Sequence, residues 1–333
     1  MASTILTDVN FQSQVFKDTM LGEFTDRLGL LSSGILVEAP ENVVSANDKG
    51  YTVAIPKWNT LSGDSVQITS ATSTTINNFT DYKDVGVWVE REKAWGSDQM
   101  VAIVAGKDPT EEIARQLGMY GAIEMHRIAM KTLTGVFATA LASTHSTGAT
   151  YSGAVISPDA IVGAKYLLGD NNDLLKVIVM NSKVEADAIK EKILTYDNGG
   201  ADTYNTGRVG NLLGLNPTIS DKLAAVASVY SSYIGAVGSM IYKLRNRVTQ
   251  RFTNANVYKI GQFEVELNRE AKTAGGQDEL IMRWSGLTHV PGVAWQTSPV
   301  ASNPTDAQLA TGSNWSKVAT DDKLIRIVEL KTA

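Results

Sequence analysis

The chain has 333 residues, of which 43% are hydrophobic and 20% charged, with no cysteine and a net charge of −5. The lack of cysteine removes disulfides, thiol nucleophiles and Cys-ligated metals, and the acidic balance argues against a dedicated nucleic-acid binder, which shows a basic excess or stripe. The length allows a large core divided into two lobes. No apolar run approaches the ~20 residues that cross a bilayer, and "MASTILTDVNFQSQ" lacks the basic and apolar regions of a secretory signal, so a cytosolic chain is expected.

Residues 1–50 read as an arm with local helix. Phe11, Val15, Phe16 and Met20 supply scattered apolar contacts, and Gly22, Gly29 and Gly34 interrupt them. Strand-like alternation follows over Thr52 to Pro56 and over Val85 to Glu90. Between them, residues 59–80 are rich in Ser, Thr and Asn. A span this polar cannot bury enough surface to pack alone, so a protruding hairpin or loop is expected, ordered by a partner. Asn78-Phe79-Thr80 and Asn314-Trp315-Ser316 match the glycosylation sequon and, without secretion, are chance matches.

A long helix is expected from Asp108. Asp108 suits the N-cap, Pro109 the first helical position, and Glu111 and Glu112 complement the positive helix end. Ile113, Leu117, Ile123 or Met125, Ile128, Leu133, Phe137 and Leu141 continue an apolar face to Ser143, about 33 residues or ~50 Å at 1.5 Å per residue. Gly118, Gly121 and Gly135 lower its intrinsic propensity, so packing must hold it. Ser157-Pro158 caps a shorter helix that ends at Gly169. Next, "VIVMNSKVEADAIKEK" (residues 177–192) reads as a buried strand turning into a helix, with Ser182 as cap and Glu185 completing a capping box. A turn-rich passage containing Pro217 follows. From residue 233 the pattern is of short strands, "YIGAVGSMIYKLRN", "VYKIGQFEVELNRE" and "DELIMRWSGLTHV", with "DKLIRIVELKT" as the last. The fold class expected is α+β.

Chemistry is sparse along this chain. His126, His145 and His289 form no ligand pair, and neither H-E-x-x-H nor a Gly-x-Ser-x-Gly elbow occurs. "AGKDPT" (105–110) lacks the first glycine of a phosphate loop and has Asp108 where Ser or Thr belongs. "DNGGAD" (197–202) begins like a calcium loop, but Arg208 stands where the bidentate Glu is needed. Lys243, Arg245 and Arg247 would share one face of a strand. That face reads either as a phosphate or acidic-partner contact or as a solvated face with inter-subunit salt bridges. Met180-Asn181-Ser182 has no glycine for close anion approach and reads as scaffold.

The order of these features resembles the HK97-fold major capsid proteins of tailed bacteriophages. The long helix matches that family's spine helix, and "KVIVMNSKVEADAIKEK" its strand, Met-Asn-Ser and helix segment. "GRVGNLLGLNPTISDKL" and "YIGAVGSMIY" are similar to the passages that follow. His289-Val290-Pro291-Gly292-Val293-Ala294-Trp295 is similar to a His-Pro-Gly-x-x-Trp pattern of coat proteins, with one extra residue. The resemblance implies an HK97-like organisation: N-terminal arm 1–50, extended loop with flanking strands 51–90, peripheral domain 91–210 with spine helix 108–143, axial domain 211–305, and a C-terminal segment 306–333 returning to the peripheral domain. It implies a coat protein that self-assembles into an icosahedral shell around packaged double-stranded DNA, made and assembled in the bacterial host cytoplasm and residing in the virion capsid.

The implied partners are copies of itself in hexamers and pentamers, scaffolding, portal or decoration proteins, and DNA contacted non-specifically, with no membrane. Catalytic residues, cofactors and metals are not expected. Assembly is expected to rest on the loop at 57–82 and the arm at 5–40. Some members of the family crosslink Lys to Asn between subunits, which would put Lys57 at the loop base in question. Two other readings stand beside this one: an encapsulin shell around a cargo enzyme, and a non-shell enzyme using the basic strand or the Met180-Asn181-Ser182 turn.

Overall fold

The computed structural model describes residues 13–27, 30, 33–61, 63–68, 76, 78–98, 109–196, 210–223, 225–246, 257–270, 277–298 and 300–333. Helix α1 (Gln14–Arg27) places Phe16, Met20 and Phe24 at four-residue spacing, on one face, and all three are buried. They lie against α2 (Pro109–Ala138) and a sheet beneath it, with the Phe24 ring edge-on to Phe263 at 5.2 Å. A Cβ on Gly118 would collide with the carbonyl oxygen of Met20, so the glycine is what lets the two helices approach. The arm expected to await a partner subunit is therefore, in its described part, docked on its own chain. Strand β1 (Leu36–Glu38) continues the docking by running parallel to β10 (Met240–Leu244). Residues 1–12 lie outside the described residues.

Helix α2 has 30 residues, or ~45 Å. It ends at Ala138, short of the expected Ser143, because the chain turns there and buries Leu141 beneath the helix end, with Leu141 N–H donating to Val136 O at 3.0 Å. The expected cap, Asp108, lies outside the described residues. Of the two alternatives for the inward position, Met125 is buried and Ile123 exposed.

The largest sheet is built on β13 (Gln277–His289). Strand β4 (Val89–Asp98) pairs antiparallel along one edge of it, and β12 (Phe263–Glu270) and then β10 follow along the other. Strand β11 (Val257–Ile260) closes a hairpin with β12. Phe263, Val265, Met282 and Trp284 form its apolar face, and Gly121 of α2 sits 3.3 Å (as Cβ) from Phe24, Phe263 and Met282.

A second sheet joins β2 (Thr52–Trp58), β3 (Asp81–Val87), β14 (Val293–Trp295) and β15 (Trp315–Lys317). The alternation expected over Val85 to Glu90 is broken at Trp88, which belongs to no strand. There the chain passes from the second sheet into the first.

The third sheet has the order β16 (Ile327–Thr332), β9 (Tyr230–Gly235), β5 (Val177–Met180), β8 (Asn216–Ile219), and β6 (Leu194–Tyr196) and β7 (Gly210–Leu212) pair separately. Val177 and Val179 face the core that holds α2, while Ile178 and Met180 face a second core with α3 (Pro158–Lys165) and α4 (Ser182–Lys190). A strand buried on both faces reads as an unbroken apolar run, which is what "VIVM" shows. The α4 cap is Asn181 rather than Ser182: its Oδ1 accepts from Lys183 N–H at 2.9 Å, and its Nδ2 donates to Leu223 O at 2.9 Å. Glu185 thus falls one position past that of a capping box. Ser157 caps α3 as expected, accepting from Ala160 N–H at 3.2 Å. The helix stops at Lys165, and a 3-10 stretch, Tyr166–Leu174, carries the chain through a kink at Gly169, φ 58°.

The described residues form three clusters of buried apolar side chains, the third a small one of Ala39, Val44, Val53, Ile55, Trp88 and Leu287. Strand β5 pairs with both β8 and β9.

Candidate functional site

The β2–β3 hairpin carries the polar span singled out in the sequence. Its register runs from Thr52 opposite Val87 to Trp58 opposite Asp81. Asn59 adds a last rung, donating to Thr80 O at 3.0 Å from its backbone and to Thr80 Oγ1 at 2.9 Å from its side chain. Beyond it the described residues leave the sheet. Trp58 at its end and Leu61, Val66, Ile68, Ile76 and Phe79 beyond it are 60–96% exposed. Each such side chain gains about 1.5–3 kcal/mol on burial, so a projection carrying six of them is a surface built to be covered.

The base of the hairpin is held by Asp84 of β3, whose side chain is fully buried. Its Oδ2 pairs with Lys57 Nζ at 2.9 Å, and both carboxylate oxygens accept from Gly292 N–H at 3.0 Å. His289 Nε2 stands 3.8 Å away, beyond hydrogen-bond length. Burial pushes the Asp84 carboxyl up, but His289 and Lys57 outweigh it and hold it below the ordinary carboxylate value. Gly292 has φ 93°, open to glycine, and a Cβ there would lie 2.6 Å from Ile325. Trp295 closes the corner edge-on to Trp315 at 4.9 Å, its indole N–H donating to Val300 O at 3.0 Å. The His-Val-Pro-Gly-Val-Ala-Trp segment is thus the socket for the hairpin base. Lys57 is paired with Asp84 in this arrangement.

Two of the three basic residues, Lys243 and Arg245, are paired within the chain. Lys243 pairs with Glu38 at 2.9 Å and Glu41 at 3.2 Å. Arg245 pairs with Glu90 at 2.6 Å, donates to Gly50 O and Ser285 Oγ at 2.6 and 2.8 Å, and stacks 4.9 Å over Trp88. Lys243 and Arg245 are both buried and neutralised within the chain, while Arg247 lies outside the described residues. The three histidines stay apart. His126 bonds Ser220 Oγ at 2.5 Å, and burial, helped by Lys222, pushes its pKa down to about 4. His145 bridges Thr144 Oγ1 and Asp322 O at 2.7 and 3.0 Å, and burial lowers its pKa as well.

Among the described residues no group of three or more His, Asp or Glu side chains could hold a metal ion, and no helix is long and apolar enough to cross a membrane. The "DNGGAD" stretch and Arg208 lie outside the described residues. Sequence reasoning missed Asp84, although one signal was there. In "DYKDVGV" it shares a face with Tyr82 and Gly86, the half of the strand that turns inward.

The profile of the Gp13-like family, described as major capsid protein 13-like, matches residues 57–325. The major capsid protein of Bacillus phage SPP1 is 28% identical over 341 residues, covering 99% of this chain and 98% of that protein. Among solved structures, the capsid of a native GTA particle aligns with a TM-score of 0.52 at 14% identity over 92% of this chain and 90% of that one. A chain of the cyanophage Pam1 capsid aligns with a TM-score of 0.51 at 11% identity over 78% and 85%. At such identities these two likenesses speak for the α+β capsid fold alone. The profile, spanning most of the sequence, makes the chain a member of the Gp13-like family of phage major capsid proteins, a structural component of the virion and not an enzyme.

Proposed function

We propose that copies of this chain assemble, as hexamers and pentamers, into an icosahedral shell that encloses packaged double-stranded DNA. The observation that carries this reading is the β2–β3 hairpin: exposed apolar side chains on a projection whose base is fixed by a buried carboxylate. A shell needs only modest contacts per interface, because many simultaneous contacts hold each subunit. By the resemblance, residues 91–210 with the long helix α2 form the peripheral lobe and residues 211–305 the axial one. The C-terminal segment 306–333 returns to the peripheral lobe. Support for this comes from Leu309, whose carbonyl would collide with a Cβ on Gly135 of α2. Neutralised Lys243 and Arg245 and the net charge of −5 favour few, non-specific DNA contacts. Scaffolding, portal and decoration proteins complete the proposed partners, with assembly in the host cytoplasm. Electron microscopy of the purified chain, and nuclease treatment of particles from infected cells, test this. Closed shells and protected long DNA are expected; small discrete oligomers, or a protein cargo in place of DNA, would overturn it.

A further inference from the structure

His289 ends β13 with its side chain fully buried, and neither ring nitrogen has a hydrogen-bond partner among the described residues. A buried polar atom left unpaired is costly, and a neutral imidazole always carries one N–H that wants an acceptor. An acceptor stands just out of reach, since Asp84 Oδ2 is 3.8 Å from Nε2. That carboxylate already pairs with Lys57 and accepts from Gly292 N–H. An ionised carboxylate has about four lone-pair sites, so a place remains for the imidazole. The charged and titratable groups on the surrounding elements are Asp84 and Tyr82 of β3, Lys57 of β2, Lys243 of β10 and Arg326 before β16. Lys243 is held by Glu38 and Glu41, and the residue of β10 opposite His289 is the uncharged Ile241. Arg326 lines an open groove beside the hairpin base, together with Lys57 and Trp58. Among these groups one acid, Asp84, serves two bases.

We infer that His289 is a proton-operated release for the hairpin base: once its ring is charged, it takes the Asp84 carboxylate from Lys57. A buried carboxylate neutralises one cation, and two cations beside it repel each other. Of the two, His289 is 0% exposed and has nowhere to go. The Lys57 side chain is 33% exposed and borders the groove, so Lys57 is the one that leaves. Nε2 needs to close on Oδ2 by only about 1 Å to reach the length of a charged N–H···O bond. Lys57 lies opposite Tyr82 in the register, so its bond to Asp84 is a diagonal tie between β2 and β3, and its release loosens the last rungs of the hairpin base. Asp84 keeps one charged partner in either arrangement, so the change is local to the hairpin. The inference concerns the folded subunit and stands apart from the shell reading.

Amide hydrogen exchange of the full chain tests it. Histidine is the side chain that ordinarily changes charge between pH 5 and 8, so exchange is compared at about pH 7.5 and about pH 5.5, corrected for its intrinsic pH dependence. The Asn59 amide, which donates to Thr80 O at 3.0 Å, reports the hairpin base. The Asn216 amide, which donates to Lys176 O at 2.8 Å, reports the third sheet. In the wild type, Asn59 protection is expected to fall roughly tenfold at the lower pH while Asn216 protection holds. In His289→Gln the fall should vanish. In Lys57→Met it should vanish too, because a charged His289 then displaces nothing, and this variant decides the matter if His289→Gln fails to fold. Unchanged Asn59 protection in the wild type, a fall retained in either variant, or an equal loss at Asn216 would overturn the inference.

Discussion

Asp84 ties Lys57 of β2 to Gly292, more than 200 residues away in sequence, through one carboxylate. Replacing it by Ala leaves Lys57 and the Gly292 N–H without their acceptor, and loss of one partner from a buried pair costs about 3–5 kcal/mol. Chemical denaturation of Asp84→Ala against the wild type measures that cost directly. Because the folded carboxyl is held below its ordinary value, its contribution is present above the unfolded pKa and is lost as pH falls through the folded one. The stability difference between wild type and Asp84→Asn is thus expected to stay level from neutral pH down to about 5 and to shrink below about 4. His126 gives the same pH direction for a different reason. Its folded pKa lies at about 4, pushed down first by burial and then by Lys222, so the unfolded chain takes up a proton that the folded chain refuses. Stability should fall as pH drops from about 6.5 towards 4, and melting of His126→Gln across that range should show the fall removed.

At the scale of elements, the glycines of α2 are close-approach sites rather than weaknesses. Gly→Ala in a helix ordinarily stabilises by about 1 kcal/mol. At Gly118 the new Cβ would meet Met20 O, and at Gly135 it would meet Leu309 O and stand 2.6 Å from Trp315 Nε1. Both substitutions are expected to destabilise by about 1–3 kcal/mol through overpacking. Gly22 of α1, with nothing within 4 Å of its Cβ position, is the control, and Gly22→Ala should raise the melting temperature. The third sheet shows how its edges are kept from uncontrolled pairing. Strand β8 carries Pro217, which offers no N–H, and the outer edge of β16 is covered by the turn after α2, with Glu329 N–H donating to His145 O at 2.7 Å.

For the whole molecule, what the sequence revealed was local and what it hid was long-range. The "VIVM" strand, the Ser157 cap, the start of α2 at Pro109 and the polar hairpin span all follow from short windows, because propensity, capping and periodicity act over a few residues. The α1 face of Phe16, Met20 and Phe24 was visible as apolar, but nothing nearby says that its partner is α2 of the same chain. Lys243 and Arg245 looked like a basic stripe because their partners Glu38, Glu41 and Glu90 lie more than 150 residues away. Asp84 was hidden for the same reason. The assembly surface was legible in part, since the span at 59–80 could be read as needing a partner, while the anchoring of its base could not. The hairpin is the account's central claim, and Leu61, Val66 and Ile68 test it most directly. Electron microscopy of a variant with all three replaced by Ser should show folded subunits that melt like the wild type and form no shells. Shells in wild-type yield from that variant would contradict the account.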